Sequence, residues 1–287
     1  MSKPPEQVGD TMRSTRFARN WAFIRRRLGR IGRRRVASRA WQPATPIVLY
    51  AAVVLTLAIV VALTIDAAAI EWASGLDGPV RRFFKTITRY GQSVWLLQVS
   101  FVVCLILFCA DWTRTSRLRA AAWSEVGFIA AFLFFSIAAS GILLNIVKQF
   151  IGRSRPALLH LEGPISFHPF MFDYIYQGFP SGHAQVVGAA AITAILVSRR
   201  YAVVVLLPCL LIAASRVVVN AHYPSDVLAG LAFGGGFAWL YAVALARAGV
   251  GFEFRDRRMV VARSSAIRKA GLPGMLSGLR SALFGDA

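Results

Sequence analysis

Long stretches that are apolar on every side alternate along this chain with short polar connectors. A helix lying on a soluble core would place polar residues on its outer face at every turn, and these stretches do not. They fall roughly at 46–65, 94–110, 122–147, 183–197, 201–215 and 225–246. Crossing a bilayer takes about 20 apolar residues. The fourth and fifth stretches fall short of that, which predicts spans that start or stop near the membrane interface. Only Ser198, Arg199 and Arg200 separate those two, so they should form a tight antiparallel hairpin. The pattern predicts an all-α, polytopic membrane protein with six transmembrane helices in a bundle.

Charge adds an orientation. Among 287 residues the formal net charge is +20, and it is unevenly spread. Arginines crowd the first 45 residues, and a second basic group, including Arg255, Arg257, Arg258, Arg263, Arg268 and Lys269, follows the last apolar stretch. Beside membrane spans such runs mark the cytoplasmic face and contact anionic lipid; nucleic acid is not the expected partner. With both termini in the cytoplasm, Arg114, Arg117 and Arg119 and the Arg199–Arg200 turn also fall inside. Arg81, Arg82, Lys85 and Arg89 break the rule and are assigned a surface or headgroup role. The expected organisation is a basic tail (1–45), a six-span domain (46–246) and a second basic tail (247–287).

In the first tail, Phe17, Trp21, Ile24, Leu28 and Ile31 recur at helical spacing with arginines between them. That reads either as a basic amphipathic helix on the inner leaflet or as a disordered basic tail. Leu272, Leu276, Leu279 and Leu283 repeat the pattern faintly in the second. Cys104, Cys109 and Cys209 sit inside apolar stretches and read as small apolar residues rather than a metal or disulfide framework. No obligate protein partner is evident.

The same topology gathers candidate chemistry on the outer face. Lys148 ends the third stretch, and Arg155-Pro156 follows. Pro180-Ser181-Gly182-His183 opens the fourth. Ser215-Arg216 ends the fifth, and His222 and Asp226 precede and open the sixth. Any one of these cations alone would read as a snorkelling interfacial residue. Together with two histidines they suit a phosphate: arginine matches its oxygens with a planar fork. Ser181 is a good N-cap, Gly182 permits close approach, and a helix N-terminus attracts anions. The four-residue spacing of His222 and Asp226 puts both on one helical face, where Asp226 would accept a bond from one imidazole nitrogen and leave the other free to attack. Arg153 reads as a solvated loop charge, with contact to substrate as the alternative. The loop 157–179 carries His160, His168, Asp173 and a set of aromatics, and serves either as a lipid entrance or as an interfacial belt.

The three blocks K-x6-RP, PSGH and SR-x5-H-x3-D resemble the signature of the type 2 phosphatidic acid phosphatase family, whose fold is shared with vanadium haloperoxidases. The resemblance covers roughly 122–246. It implies His222 as nucleophile forming a phosphohistidine, Asp226 as its orienting partner and His183 as general acid and then base. It implies phosphate binding by Lys148, Arg155, Ser181, Gly182 and Arg216. The chain shows no carboxylate-rich cluster suited to Mg²⁺, so no cofactor is expected. The expected function is metal-independent hydrolysis of a lipid phosphate or diphosphate at the extracytoplasmic face of the plasma (inner) membrane. A lipid phosphotransferase using the same phosphohistidine is the alternative; a haloperoxidase and a non-catalytic lipid binder rank below it.

Overall fold

The computed structural model describes residues 44–255 and 259–284. The amphipathic pattern Phe17–Ile31 and the basic residues Arg257 and Arg258 lie outside these.

Each of the six apolar stretches forms a helix. The first is α1 (Ala44–Thr64). Two helices then occupy the connector between the first two apolar stretches: α2 (Asp66–Ser74) and α3 (Gly78–Thr88). Pro79 stands in the first turn of α3, where its missing N–H costs nothing. The helix is amphipathic, which a reading tuned to long apolar runs passes over: Arg82 and Lys85 are exposed while Phe84 and Ile87 turn inward. There follow α4 (Ser93–Cys109), α5 (Arg117–Ile151), α6 (Gly182–Val197), α7 (Arg199–Val218) and α8 (Pro224–Arg247). Four helical stretches among the described residues are long and apolar enough to cross a membrane: Pro46–Thr64, Gly78–Cys109, Arg117–Ile151 and Pro224–Arg247. The apolar helices Gly182–Val197 and Ala202–Val218 are shorter. Exposed Leu49, Leu63, Val204 and Ile142 show apolar side chains directed outward, as a lipid-facing surface requires.

The described residues divide into two compact units. One comprises 44–100 and Phe132–Ala242. Its core is built where α6, α7 and α8 meet, from Ala184, Val187, Cys209, Ile212, Ala213 and Val227, with Ile87 of α3 packed against it. Small residues let α6 and α8 touch: a Cβ on Gly234 would lie 2.0 Å from the Gln185 carbonyl oxygen. Gln185 is itself buried and donates from Nε2 to the Ile137 carbonyl at 3.3 Å, tying α6 to α5.

The other unit comprises Phe101–Ala131 and 243–284. Within the segment expected as a basic tail the chain forms an antiparallel hairpin, β1 (Phe252–Arg255) with β2 (Met259–Ala262), and then α9 (Ser265–Phe284), kinked at Gly271. Glu125 accepts from the Ala266 and Ile267 N–H groups at 3.1 and 3.0 Å, so a carboxylate caps the positive end of α9. Met275 and Ala266 pack on Ala122. Leu272, Leu276 and Leu283 remain exposed.

Candidate active site

Everything that follows lies in the first unit. The site begins where α5 stops. Gly152 takes φ +61° and its N–H bonds back to the Lys148 carbonyl at 2.8 Å, a left-handed helix end. A Cβ there would lie 2.0 Å from the His168 carbonyl oxygen, so a side chain fits neither the conformation nor the space. The sharp exit places Lys148 on the last turn and folds Arg153 and Arg155 back beneath it.

Lys148, Arg155 and Arg216 are all buried, so none of them snorkels to the interface. Lys148 Nζ and Arg155 Nη2 both donate to the Gln177 carbonyl, at 3.3 and 3.1 Å. Arg155 also donates from Nε to the Tyr174 carbonyl at 2.9 Å, and its guanidinium lies 3.8 Å from the Tyr174 ring centre. Arg216 Nη1 donates to Thr88 Oγ1 at 2.6 Å, and its Nε has no hydrogen-bond partner. The α3 helix thus brings Thr88 to the site. The turn after it places Gly91 against the ring of His183, which a Cβ would approach to 2.7 Å.

Ser181 occupies the N-cap position of α6 but does not cap through its side chain. Its N–H donates to the Asp226 carbonyl at 2.9 Å, and its Oγ is buried without a hydrogen-bond partner. A buried hydroxyl with no partner loses about 1–3 kcal/mol of solvation, which a bound anion would restore. Gly182 follows with Lys148 Nζ 4.0 Å from where its Cβ would be, so the backbone is open to a ligand held by that lysine.

His222 departs from the helical-face expectation. It lies in the turn between α7 and α8, and Pro224 starts the helix after it. Its Nδ1 is 2.7 Å from the Gly178 carbonyl oxygen, whereas Asp226 Oδ2 stands at 3.5 Å. The primary acceptor is therefore Gly178, because Asp226 Oδ2 is taken by the Tyr223 N–H at 2.9 Å. A carbonyl can only accept, so Nδ1 carries the proton. Arg155 Nη1, which can only donate, faces Nε2 at 3.4 Å. Both neighbours fix the same tautomer, with the Nε2 lone pair directed among the cations. Burial first, then the charges of Arg155, Lys148 and Arg216, hold the imidazole well below its ordinary pKa. Burial likewise lowers Arg155, which stays protonated.

Sequence reasoning misplaced Arg153. It is buried, not solvated. Nη1 donates to Asp226 Oδ1 and to Ser225 Oγ, each at 2.6 Å; Nη2 donates to Asp66 Oδ2 at 2.8 Å and to the Pro164 carbonyl at 2.6 Å. Asp66, Ser225, Gly178 and Thr88 were missed as well. One signal was present for Asp66: an acidic residue directly after an apolar stretch asks for a partner. His168 pairs with Glu162 at 3.0 Å and Asp173 caps a turn, so these two serve the loop rather than the site. The Ser166 and His168 bonds hold the Glu162 carboxyl below its usual range. Among the described residues no group of three or more His, Cys, Asp or Glu is placed to hold a metal ion.

Three comparisons bear on this geometry. The sequence profile of the PAP2 superfamily matches residues 129–249. A lipid A 1-phosphatase of Rhizobium johnstonii is 39% identical over 186 residues, covering 63% of this chain and 74% of that protein. An undecaprenyl-diphosphatase of Sulfolobus acidocaldarius is 30% identical over 109 residues, 38% of this chain and 51% of that protein. The crystal structure of a transmembrane PAP2 type phosphatidylglycerolphosphate phosphatase from Bacillus subtilis aligns with TM-score 0.47 and 19% identity, covering 66% of this chain and 92% of that one.

Proposed function

Because the chain belongs to the PAP2 superfamily, we propose that it hydrolyses a phosphate monoester or diphosphate carried by a membrane lipid, through a phosphohistidine on His222 and without a metal. One observation carries the reading: Gly178 holds the proton of His222 on Nδ1, so the Nε2 lone pair faces Arg155, with Lys148 and Arg216 near enough for their charges to act on the ring.

In the first step Nε2 attacks phosphorus, an N–P bond forms and the P–O bond to the lipid breaks. His183 gives its proton to the departing oxygen. In the second, His183 takes a proton from water, the oxygen attacks phosphorus and the N–P bond breaks, which releases inorganic phosphate and restores His222. Phosphoryl transfer is mostly positioning and charge stabilisation. The three cations supply the charge, and the unpartnered Ser181 Oγ and Arg216 Nε supply donors that become satisfied only with phosphate bound. The Nδ1–H bond to Gly178, with Asp226 close by, stabilises the positive charge that the ring acquires.

Lipid A 1-phosphatase is the name of a relative that this chain matches over 74% of its length, so a phosphorylated glycolipid is the first substrate to test, and a polyprenyl diphosphate the second. We place the site on the extracytoplasmic side of the inner membrane, six spans and both termini cytoplasmic, from the distribution of basic residues. The test is phosphate release in detergent with chelator present, across lipid A, polyprenyl diphosphate and phosphatidate, with His222→Ala alongside. Release from one lipid and its loss in the variant are expected. Well-folded protein that releases phosphate from none of them, or only with added metal, would overturn the reading.

A further inference from the structure

Asp66, Arg153 and Ser225 form a buried polar network with Asp226, and these three have no task in the steps above. Arg153 is flanked by two buried carboxylates, Asp66 at 2.8 Å and Asp226 at 2.6 Å. Ser225 closes the ring: its N–H donates to Asp66 Oδ1 at 3.0 Å, its Oγ makes a short bond to Asp66 Oδ2, and the same Oγ accepts from Arg153. The Tyr223 ring lies against the guanidinium, whose carbon is 4.5 Å from the ring centre. Asp66 opens α2, Arg153 sits in the turn after α5, and Ser225 and Asp226 lie in the first turn of α8. The network therefore fixes three separate elements to one another at the foot of His222.

Two physical consequences follow. Burying several charges is costly, and an apolar cluster would hold the same elements at least as well, so the network is poorly explained as a stabiliser. Asp226 would also, if unpaired, compete with phosphate for the nearby cations, since its charge acts on both Lys148 and Arg155. Arg153 occupies Oδ1 and the Tyr223 N–H occupies Oδ2, which keeps the carboxylate 3.5 Å from His222 Nδ1 and out of the phosphate pocket.

We propose that Asp66 and Arg153 are positioning residues for the reaction: the Asp66–Arg153 pair holds the Asp226 carboxylate beside the Gly178-oriented ring of His222, where its charge supports the imidazole, and away from Lys148, Arg155 and Arg216, which stay free for phosphate. The proposal rests on His222 being the nucleophile.

Asp66→Asn, which keeps the shape and removes the charge, is the first variant; Ser225→Ala, which breaks the bridge between Asp66 and Arg153, is the second; Arg153→Lys is the third. Each is measured for kcat and KM on the lipid that wild type hydrolyses, for inhibition by inorganic phosphate, and for phosphohistidine burst amplitude to normalise to competent sites. The expected result is a fall of about tenfold or more in kcat per competent site for Asp66→Asn and Arg153→Lys, and a smaller fall for Ser225→Ala, with KM nearly unchanged. Should Asp66→Asn or Arg153→Lys fail to fold, Ser225→Ala decides by the same criteria. A kcat per competent site within twofold of wild type would overturn the proposal, because a purely structural network would change yield and melting alone. A raised KM with kcat unchanged would also overturn it, by making Arg153 part of substrate binding. An inactive wild type would instead sink the function proposed above.

Discussion

His222 decides the chemistry by what surrounds it. In the proposed mechanism a neutral imidazole attacks only if its Nε2 lone pair is free, and the Gly178 carbonyl favours that by accepting from Nδ1. Burial, and then the cations proposed to hold phosphate, disfavour protonation of the ring. Its depressed pKa makes a stability prediction. The unfolded chain takes up this proton near pH 6.5, the folded protein only at lower pH, so the contribution is present above about 6.5 and lost as pH falls below it. The melting temperature in detergent should therefore fall as the medium is acidified through that range, and His222→Asn should flatten the dependence; an unchanged slope would contradict it. Among the phosphate ligands, Arg216→Gln should lower kcat/KM by about 10²–10³-fold and Ser181→Ala by about tenfold, read from steady-state kinetics. The eight proposed site residues could be singled out because their types and spacings are local. Arg153 and Asp66 were not: the ion pair joins residues 87 positions apart, and burial of a loop arginine leaves no mark in its own neighbourhood.

At the scale of elements, helix ends carry the site. Lys148 stands at the end of α5, Ser181 at the start of α6, Arg216 at the end of α7 and Asp226 at the start of α8. Their mutual placement depends on close approach between α6 and α8 and on the turn at Gly152. Gly234→Ala should force the helices apart, at a cost of about 1–3 kcal/mol in stability, with a lower melting temperature. Gly152→Ala should do more harm to activity than to melting, because it displaces Arg153 and Arg155 while the helices stay packed. Equal losses in both assays would speak against that division. The long helices were legible as apolar runs. The α2 helix was hidden because it is only nine residues long, α3 because an amphipathic segment with interspersed basic residues looks like a connector, and the β1–β2 hairpin because its strands have four residues each.

The whole molecule is a multi-pass membrane protein with an unusually basic sequence, +20 over 287 residues. Six spans with the site outside predict that a cysteine at exposed Leu161, between α5 and α6, reacts with a membrane-impermeant maleimide in intact cells. A cysteine at Arg199, in the α6–α7 turn, should react only after permeabilisation. The reverse pattern would invert the topology. Hydropathy made the membrane class readable from sequence; substrate identity was not, because exposed aromatics such as Phe167, Phe170, Phe172 and Tyr174 carry no local code for a lipid.

The central claim is that phosphate passes through His222. Rapid quenching of purified protein during turnover of a ³²P-labelled lipid substrate tests it most directly. The account predicts a protein-bound label that survives alkali, is lost in acid, maps to the peptide containing His222 and is absent in His222→Ala. Turnover without any such label, or a label that persists in His222→Ala, would contradict it.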